Sequence, residues 1–241
     1  MFIDTMSSRE LFAEYEADLP EIQDSVLKFG ETKYVNDYLL KHKKQARVIF
    51  RRQLTTKRGN HYLGIIIFQQ IGGGKTKVWD WHSFHVGSMF TYKGIMTLMF
   101  FGEQKMAVSY SPHFFSRYKQ RMLDVCDDWK LRAKLENTKT NDDIVALYVS
   151  RNLGVAWVET TSAYHNKLHI FAPIPDGVAL LQWDKSVQRL QANTFITNDM
   201  LDERQQIMLD RALNYYNLSA EERKNIKTPT FMYDRDENSS N

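Results

Sequence analysis

In the stretch S-P-H-F-F-S-R-Y-K-Q-R, residues 111–121, a histidine and two arginines recur at every fourth position: His113, Arg117 and Arg121. On a helix turning by about 100° per residue the three share one arc, each about 40° from the last, with Phe115, Tyr118 and Met122 opposite or beside it. An imidazole beside two fixed guanidinium charges suits holding a phosphate and moving a proton next to it. The same spacing fits a plainer arrangement, in which the arginines pair with acids and His113 only opens the helix.

Other patterns offer less. Gly72-Gly73-Gly74-Lys75-Thr76 looks like the end of a phosphate loop, but the first glycine of G-x-x-x-x-G-K-[ST] is replaced by Gln69 and a strand follows. It reads as a hairpin turn. His82 and His85 point to opposite faces of a regular strand, and His165 and His169 are well separated on one face, so neither pair with its surroundings makes a metal site. These, with His42 and His61, read as structural or surface histidines. No G-x-S-x-G elbow occurs, and Cys126 sits among Asp124, Asp127 and Asp128, the wrong setting for a reactive thiolate. No metal or cofactor is expected.

The elements that must position the histidine and arginines follow from pattern. Ser111 as cap and Pro112 at the first helical position predict a helix running past Met122. Before it, helices are expected over 8–43, opened by Ser8, interrupted at Pro20 and broken near Gly30. A first strand-rich region covers 46–110, with strands at 48–50, 62–68, 77–82, 94–100 and 105–110 and turns at 57–60 and 72–74. After a further helix within 142–152, strands are expected at 154–160, 167–171, 178–183 and 192–197, two of them joined by the turn 173–177. Helices over 198–228, the last capped by Ser219 with Glu222, and a disordered tail at 233–241 complete the chain. The fold class is α+β, mainly antiparallel sheet with N-terminal, central and C-terminal helices. With no Pro, Gly or Ser linker between the halves, residues 1–232 read as a single domain.

With 241 residues, 43% apolar and 25% charged, the chain can bury a full core. A lone cysteine and an N-terminus without the basic start and apolar core of a signal peptide point to the cytoplasm. The longest apolar-rich runs, 63–68 and 94–101, are too short for a helical membrane span. The net charge of +3 is too small to diagnose a partner. Its distribution says more: Lys41, Lys43, Lys44, Arg47, Arg51, Arg52, Lys57 and Arg58 fall within 41–58 with no acid among them, a candidate nucleic-acid-binding surface.

The His113, Arg117, Arg121 helix resembles one in small bacterial proteins of the H-x-x-x-R-[YF]-x-x-R type, some grouped with the metal-independent ribonuclease superfold that includes barnase, EndoU and the RelE-type toxins. That resemblance covers at most residues 105–200. It implies a helix on an antiparallel sheet, with catalytic residues drawn from both and a hydroxyl residue on the last strand, where Thr194 and Thr197 fit. It implies cytoplasmic, toxin-like RNA cleavage: a base draws the proton from a 2′-hydroxyl, the oxyanion attacks phosphorus, and arginines stabilise the pentavalent transition state. The basic run would bind flanking phosphates, and Trp79 and Trp81 could stack unpaired bases. Two other readings stay open, a non-catalytic nucleic-acid-binding protein and a protein-interaction module of bacterial or mobile-element origin with an unknown partner.

Overall fold

The computed structural model describes residues 1–72, 78–102, 105–152, 162–164, 167–203, 205–207 and 209–210. The expected strand at 154–160, His165, the centre of the glycine turn at 73–77, the Ser219 cap and the tail lie outside them.

Strand β1 (Arg47–Thr55) and β2 (His61–Ile71) form the expected hairpin, turned at Gly59 with φ +80°. Next come β3 (Val78–Thr91), β4 (Gly94–Phe101) and β5 (Met106–Tyr110), then helices α3 (Phe114–Val125), α4 (Trp129–Glu136) and α5 (Asn141–Arg151). The second strand region supplies β6 (Ser162–Tyr164), β7 (Lys167–Ile174), β8 (Gly177–Asp184) and β9 (Arg189–Ile196). Helices α1 (Ser8–Gly30) and α2 (Lys33–Lys41) precede them all.

Among the described residues the two strand-rich regions form one nine-stranded sheet in the order β1-β2-β3-β4-β5-β9-β8-β7-β6. Every described neighbour pair is antiparallel except the junction, where β5 and β9 run parallel with Val108 opposite Leu190 and Tyr110 opposite Ala192. The fold is α+β with a mainly antiparallel sheet, as the pattern predicts.

Helices cover both faces, and β2 shows why its sequence is an unbroken apolar run. Alternate side chains of a strand point to opposite faces. Leu63, Ile65 and Ile67 join a core with Phe114, Phe115, Tyr118 and Met122 of α3 and with residues of α4 and α5. Tyr62, Ile66 and Phe68 join a second core with Leu11, Ile22 and Val26 of α1 and Val35 and Leu39 of α2. Each fully buried side chain of this kind contributes roughly 1.5–3 kcal/mol, so the four apolar residues of α3 suffice to hold it down.

Several boundaries depart from pattern. The first helix continues through Pro20 instead of breaking there, and its cap is Ser7, not Ser8. Ser7 Oγ accepts from the Glu10 amide at 3.3 Å while the Glu10 carboxylate accepts from the Ser7 amide at 2.7 Å, a reciprocal capping box. Burial of Leu11, Phe12, Ile22 and Val26 on both sides of Pro20 outweighs its missing hydrogen bond. Helix α4 was not expected. It is capped by Asp128, whose side chain accepts from the Lys130 and Leu131 amides. After β9 the chain makes a 3-10 turn, Asn198–Met200, and among the described residues helix resumes at 203.

The β7–β8 turn is tied to the helical layer by one carboxylate. Asp176 accepts from the Tyr118 hydroxyl at 2.6 Å, from Asn152 Nδ2 at 3.0 Å and from Arg151 Nε at 2.9 Å, and pairs with Arg151 Nη2. Its neighbour Gly177, at φ +151°, leaves no room for a side chain, since a Cβ there would lie 2.4 Å from the Ile196 carbonyl oxygen. Burial pushes the Asp176 carboxyl up, but the Arg151, Tyr118 and Asn152 hydrogen bonds outweigh it and hold the value below the ordinary carboxylate range.

A carboxyl depressed in the fold stabilises the protein above its unfolded pKa of about 3.9, and that contribution is lost as pH falls through the lower folded value. Asp176→Asn should therefore lower the urea-unfolding free energy at neutral pH by about 2–3 kcal/mol. It should also flatten the loss of stability on acidification relative to the parent protein.

Candidate functional site

The start of α3 is fixed by the strand beneath it. At β9 a bulge leaves Asn193 unpaired, with Leu181 opposite Ala192 and Leu180 opposite Thr194. Ser111 meets this bulge, its amide donating to the Ala192 carbonyl at 2.9 Å and its hydroxyl to the Asn193 carbonyl at 3.1 Å. Ser111 is thus an anchor to the sheet and not the expected helix cap. His113 occupies the cap position with no capping side-chain bond, and the Phe114 amide donates back to the Ser111 carbonyl.

From this anchor the sequence spacing plays out as predicted. Phe114, Phe115, Tyr118 and Met122 are buried, His113 and Arg117 are exposed, and Arg121 is half-buried. Arg121 Nη1 donates to the Phe195 carbonyl and lies 3.4 Å from Thr194 Oγ1. Arg117 Nη1 donates to Gln120 Oε1 at 3.3 Å. Among the described residues neither arginine has a carboxylate partner. Partial burial and the adjacent Arg117 charge lower the pKa of the Arg121 guanidinium, which still stays protonated. Two like charges are therefore held side by side without compensation.

The hydroxyls separate. Thr194 touches Arg121, but the bulge shifts strand parity so that Phe195 takes the inward position, its ring 5.0 Å from that of Tyr118. Thr197 lies past the end of β9, buried, with no hydrogen-bond partner for its hydroxyl among the described residues. His113 sits two turns, roughly 12 Å of helix rise, before Arg121. The structure brings together Arg117, Arg121 and Thr194, leaves His113 at the far end of the same edge, and places Thr197 apart.

The basic run does not form one patch, because alternate residues of β1 face opposite layers. Toward α5, Arg47 donates to the Ser150 carbonyl at 2.9 Å and Arg51 pairs with Asp143. Toward α1, Arg52 donates to Ser25 Oγ at 3.2 Å and Arg58 pairs with Glu14. Among the described residues the side chains of Lys41, Lys43, Lys44 and Lys57 have no hydrogen bond or ion pair. The arginines of the run tie layers together. Arg58 also lies 3.6 Å from Asp18, a buried carboxylate that takes hydrogen bonds from Thr56, Asn60 and Tyr62 and so staples α1 to the first hairpin.

Trp79 packs into the α1-side core, and Trp81 leans on Phe68 with ring centroids 6.1 Å apart. Both lie on the face away from α3, so they cannot stack bases beside its arginines. His82 and His85 do point to opposite faces. His85 is enclosed under α1, with Nδ1 3.1 Å from the Tyr15 hydroxyl and Nε2 3.3 Å from Ser83 Oγ. Burial lowers its pKa to about 4 and raises that of Tyr15 to about 12, which makes this a neutral packing pair. Among the described residues no three His, Cys, Asp or Glu side chains converge as metal ligands, and no helix is long and apolar enough to cross a membrane. A groove of about 350 Å³ between β1 and the α4–α5 pair has an apolar floor of Ile49, Ala146 and Leu147 and a rim of Lys134 and the closed Arg51–Asp143 pair.

The two arginines should differ when removed. Arg117→Gln, which relieves like-charge repulsion, should leave unfolding free energy within about 0.5 kcal/mol of the parent. Arg121→Ala, which strips the donor from the Phe195 carbonyl, should cost about 1–2 kcal/mol by chemical denaturation.

Comparisons with protein-family models, with curated proteins and with solved structures find no match to this chain.

Proposed function

We propose that this protein binds nucleic-acid phosphates along the Arg117–Arg121 edge of α3. The observation that carries the reading is the pair of guanidinium groups one turn apart, with no carboxylate partner among the described residues and with Arg117 acting unfavourably on Arg121. A bound phosphate would relieve that repulsion through charge-assisted hydrogen bonds, and the planar guanidinium matches its oxygens in geometry. Arg121 is held by a main-chain carbonyl and so is aimed before a ligand arrives, which reduces the ordering cost of binding.

A second reading, metal-independent RNA cleavage of the toxin-like kind, is favoured by one feature: exposed His113 stands one turn ahead of Arg117 on the same edge. There it would serve as the base for a 2′-hydroxyl whose phosphate the arginines hold. The strand hydroxyls which that reading calls on lie elsewhere, Thr194 against Arg121 and Thr197 past the end of β9, and this makes binding the stronger of the two.

Fluorescence anisotropy with labelled RNA across a salt series tests the first reading. Binding should weaken steeply with salt, and Arg117→Ala and Arg121→Ala should each reduce the slope of log K against log salt by about 1. Salt-independent or undetectable binding would remove it in favour of a protein-interaction role. The same RNA incubated in EDTA tests the second: 2′,3′-cyclic phosphate ends, lost in His113→Ala, would establish cleavage, and intact RNA would exclude it.

A further inference from the structure

The β3–β4 hairpin carries side chains that the core does not use. Tyr92 at its tip is 85% exposed, and Phe90 and Ile95, directly opposite each other across the two strands, are 58% and 49% exposed. Phe90 shares strand parity with Phe84 and Val86, and Ile95 with Met99, all of which pack in the α3-side core. The two therefore emerge on the same face as α3, beyond the end of its packed surface. His61 of β2 borders them, its ring 5.6 Å from that of Phe90 and perpendicular to it.

This surface is continuous with the arginine edge. Gly94, at φ +114°, closes the hairpin, and a Cβ built there would lie 3.3 Å from Pro112 Cγ. Pro112 immediately precedes His113, so the tip abuts the first turn of α3 and the line His113, Arg117, Arg121 begins where the aromatic surface ends. The tip is also preshaped. Thr91 Oγ1 donates to the Gly94 carbonyl at 2.8 Å and accepts from the Lys93 amide at 3.1 Å, and the Lys93 ammonium sits 5.1 Å from the centre of the Tyr92 ring. Phe90, Tyr92 and Ile95 together make an exposed apolar surface on an ordered turn, the kind of surface that marks a binding site more than a lone exposed residue does.

Resting on the phosphate-binding reading, we propose that the ligand is a single-stranded nucleic acid whose unpaired bases stack on Tyr92 and Phe90 while its backbone runs along Arg117 and Arg121. Stacking platforms beside a cationic track recognise single strands because every base offers a π-face once it is released from a duplex. A duplex offers the arginines the same phosphates but hides the base faces from the hairpin.

The test uses the full chain with four probes at one salt concentration: a uridine-rich RNA strand, the DNA strand of matching sequence, an RNA duplex and inorganic polyphosphate. Single strands should bind at least about fivefold more tightly than the duplex. Tyr92→Ala and Phe90→Ala should each weaken single-strand binding by at least about fivefold, with polyphosphate binding unchanged and Tyr92→Phe matching the parent. Unaltered melting curves will show that these exposed positions do not act through folding. Equal binding of RNA and DNA strands supports the proposal, as does preference for RNA, which would also name the natural strand. If Arg117→Ala weakens binding while Tyr92→Ala and Phe90→Ala do not, or if duplex and single strand bind alike, the stacking proposal falls and the phosphate reading stands. If the parent protein binds none of the four, both fall.

Discussion

The parallel junction between β5 and β9 is the contact on which the remaining architecture depends. It joins two antiparallel halves into one sheet through three residue pairs, reinforced by the buried Ser109 hydroxyl, which donates to the Leu190 carbonyl at 3.2 Å. A parallel pair requires a long crossover, and here that crossover begins with α3, α4 and α5. The helix leaving β5 must pass over β9 at once, and Ser111 fixes where. Everything proposed about the arginine edge follows from that placement.

Charge on this molecule is divided by role. Arg47, Arg51, Arg52, Arg58, Arg151 and Arg189 each meet a carboxylate, a carbonyl or a hydroxyl on another element, and hold layers together. Arg121 grips the sheet through a main-chain carbonyl, and among the described residues Arg117 bonds only within its own helix. A carbonyl takes up a donor without cancelling the positive charge, so the α3 edge keeps a field that the ion-paired arginines have lost. The run 41–58 is denser in basic residues, but its strand arginines are divided between two layers, and Arg51 and Arg58 are neutralised by Asp143 and Glu14.

What was legible in the sequence was local. The arc of His113, Arg117 and Arg121 and the buried face opposite it follow from helix geometry alone, and the first hairpin follows from alternation and from the turn at Gly59. Pro20 misled because its cost is small against the apolar residues buried on both sides of it. Thr194 and Thr197 were matched by position along a strand, and a one-residue bulge at Asn193, which no pattern announces, put Phe195 where a hydroxyl was expected. Trp79 and Trp81 stand out by residue type, whereas the face an aromatic meets depends on strand pairing, which no local pattern carries. No expected element covers Tyr92 and Lys93, and the nearness of their turn to His113 arises only when β5 leads into α3.

Both ends of α3 are anchored to main-chain oxygens of β9, through Ser111 at one end and Arg121 at the other. Main-chain acceptors are the same whatever residue bears them, so the docking of this helix is blind to most substitutions in the strand and sensitive instead to its length. Exchanging outward side chains along β9 leaves the edge where it is. Pleating the strand straight through Asn193, so that it paired with Leu180, would turn Phe195 away from Tyr118 and carry its carbonyl one place out of register with the Arg121 donor. The edge is positioned by a count of residues more than by their identity, which leaves the chain free to retune the chemistry around its arginines without moving them.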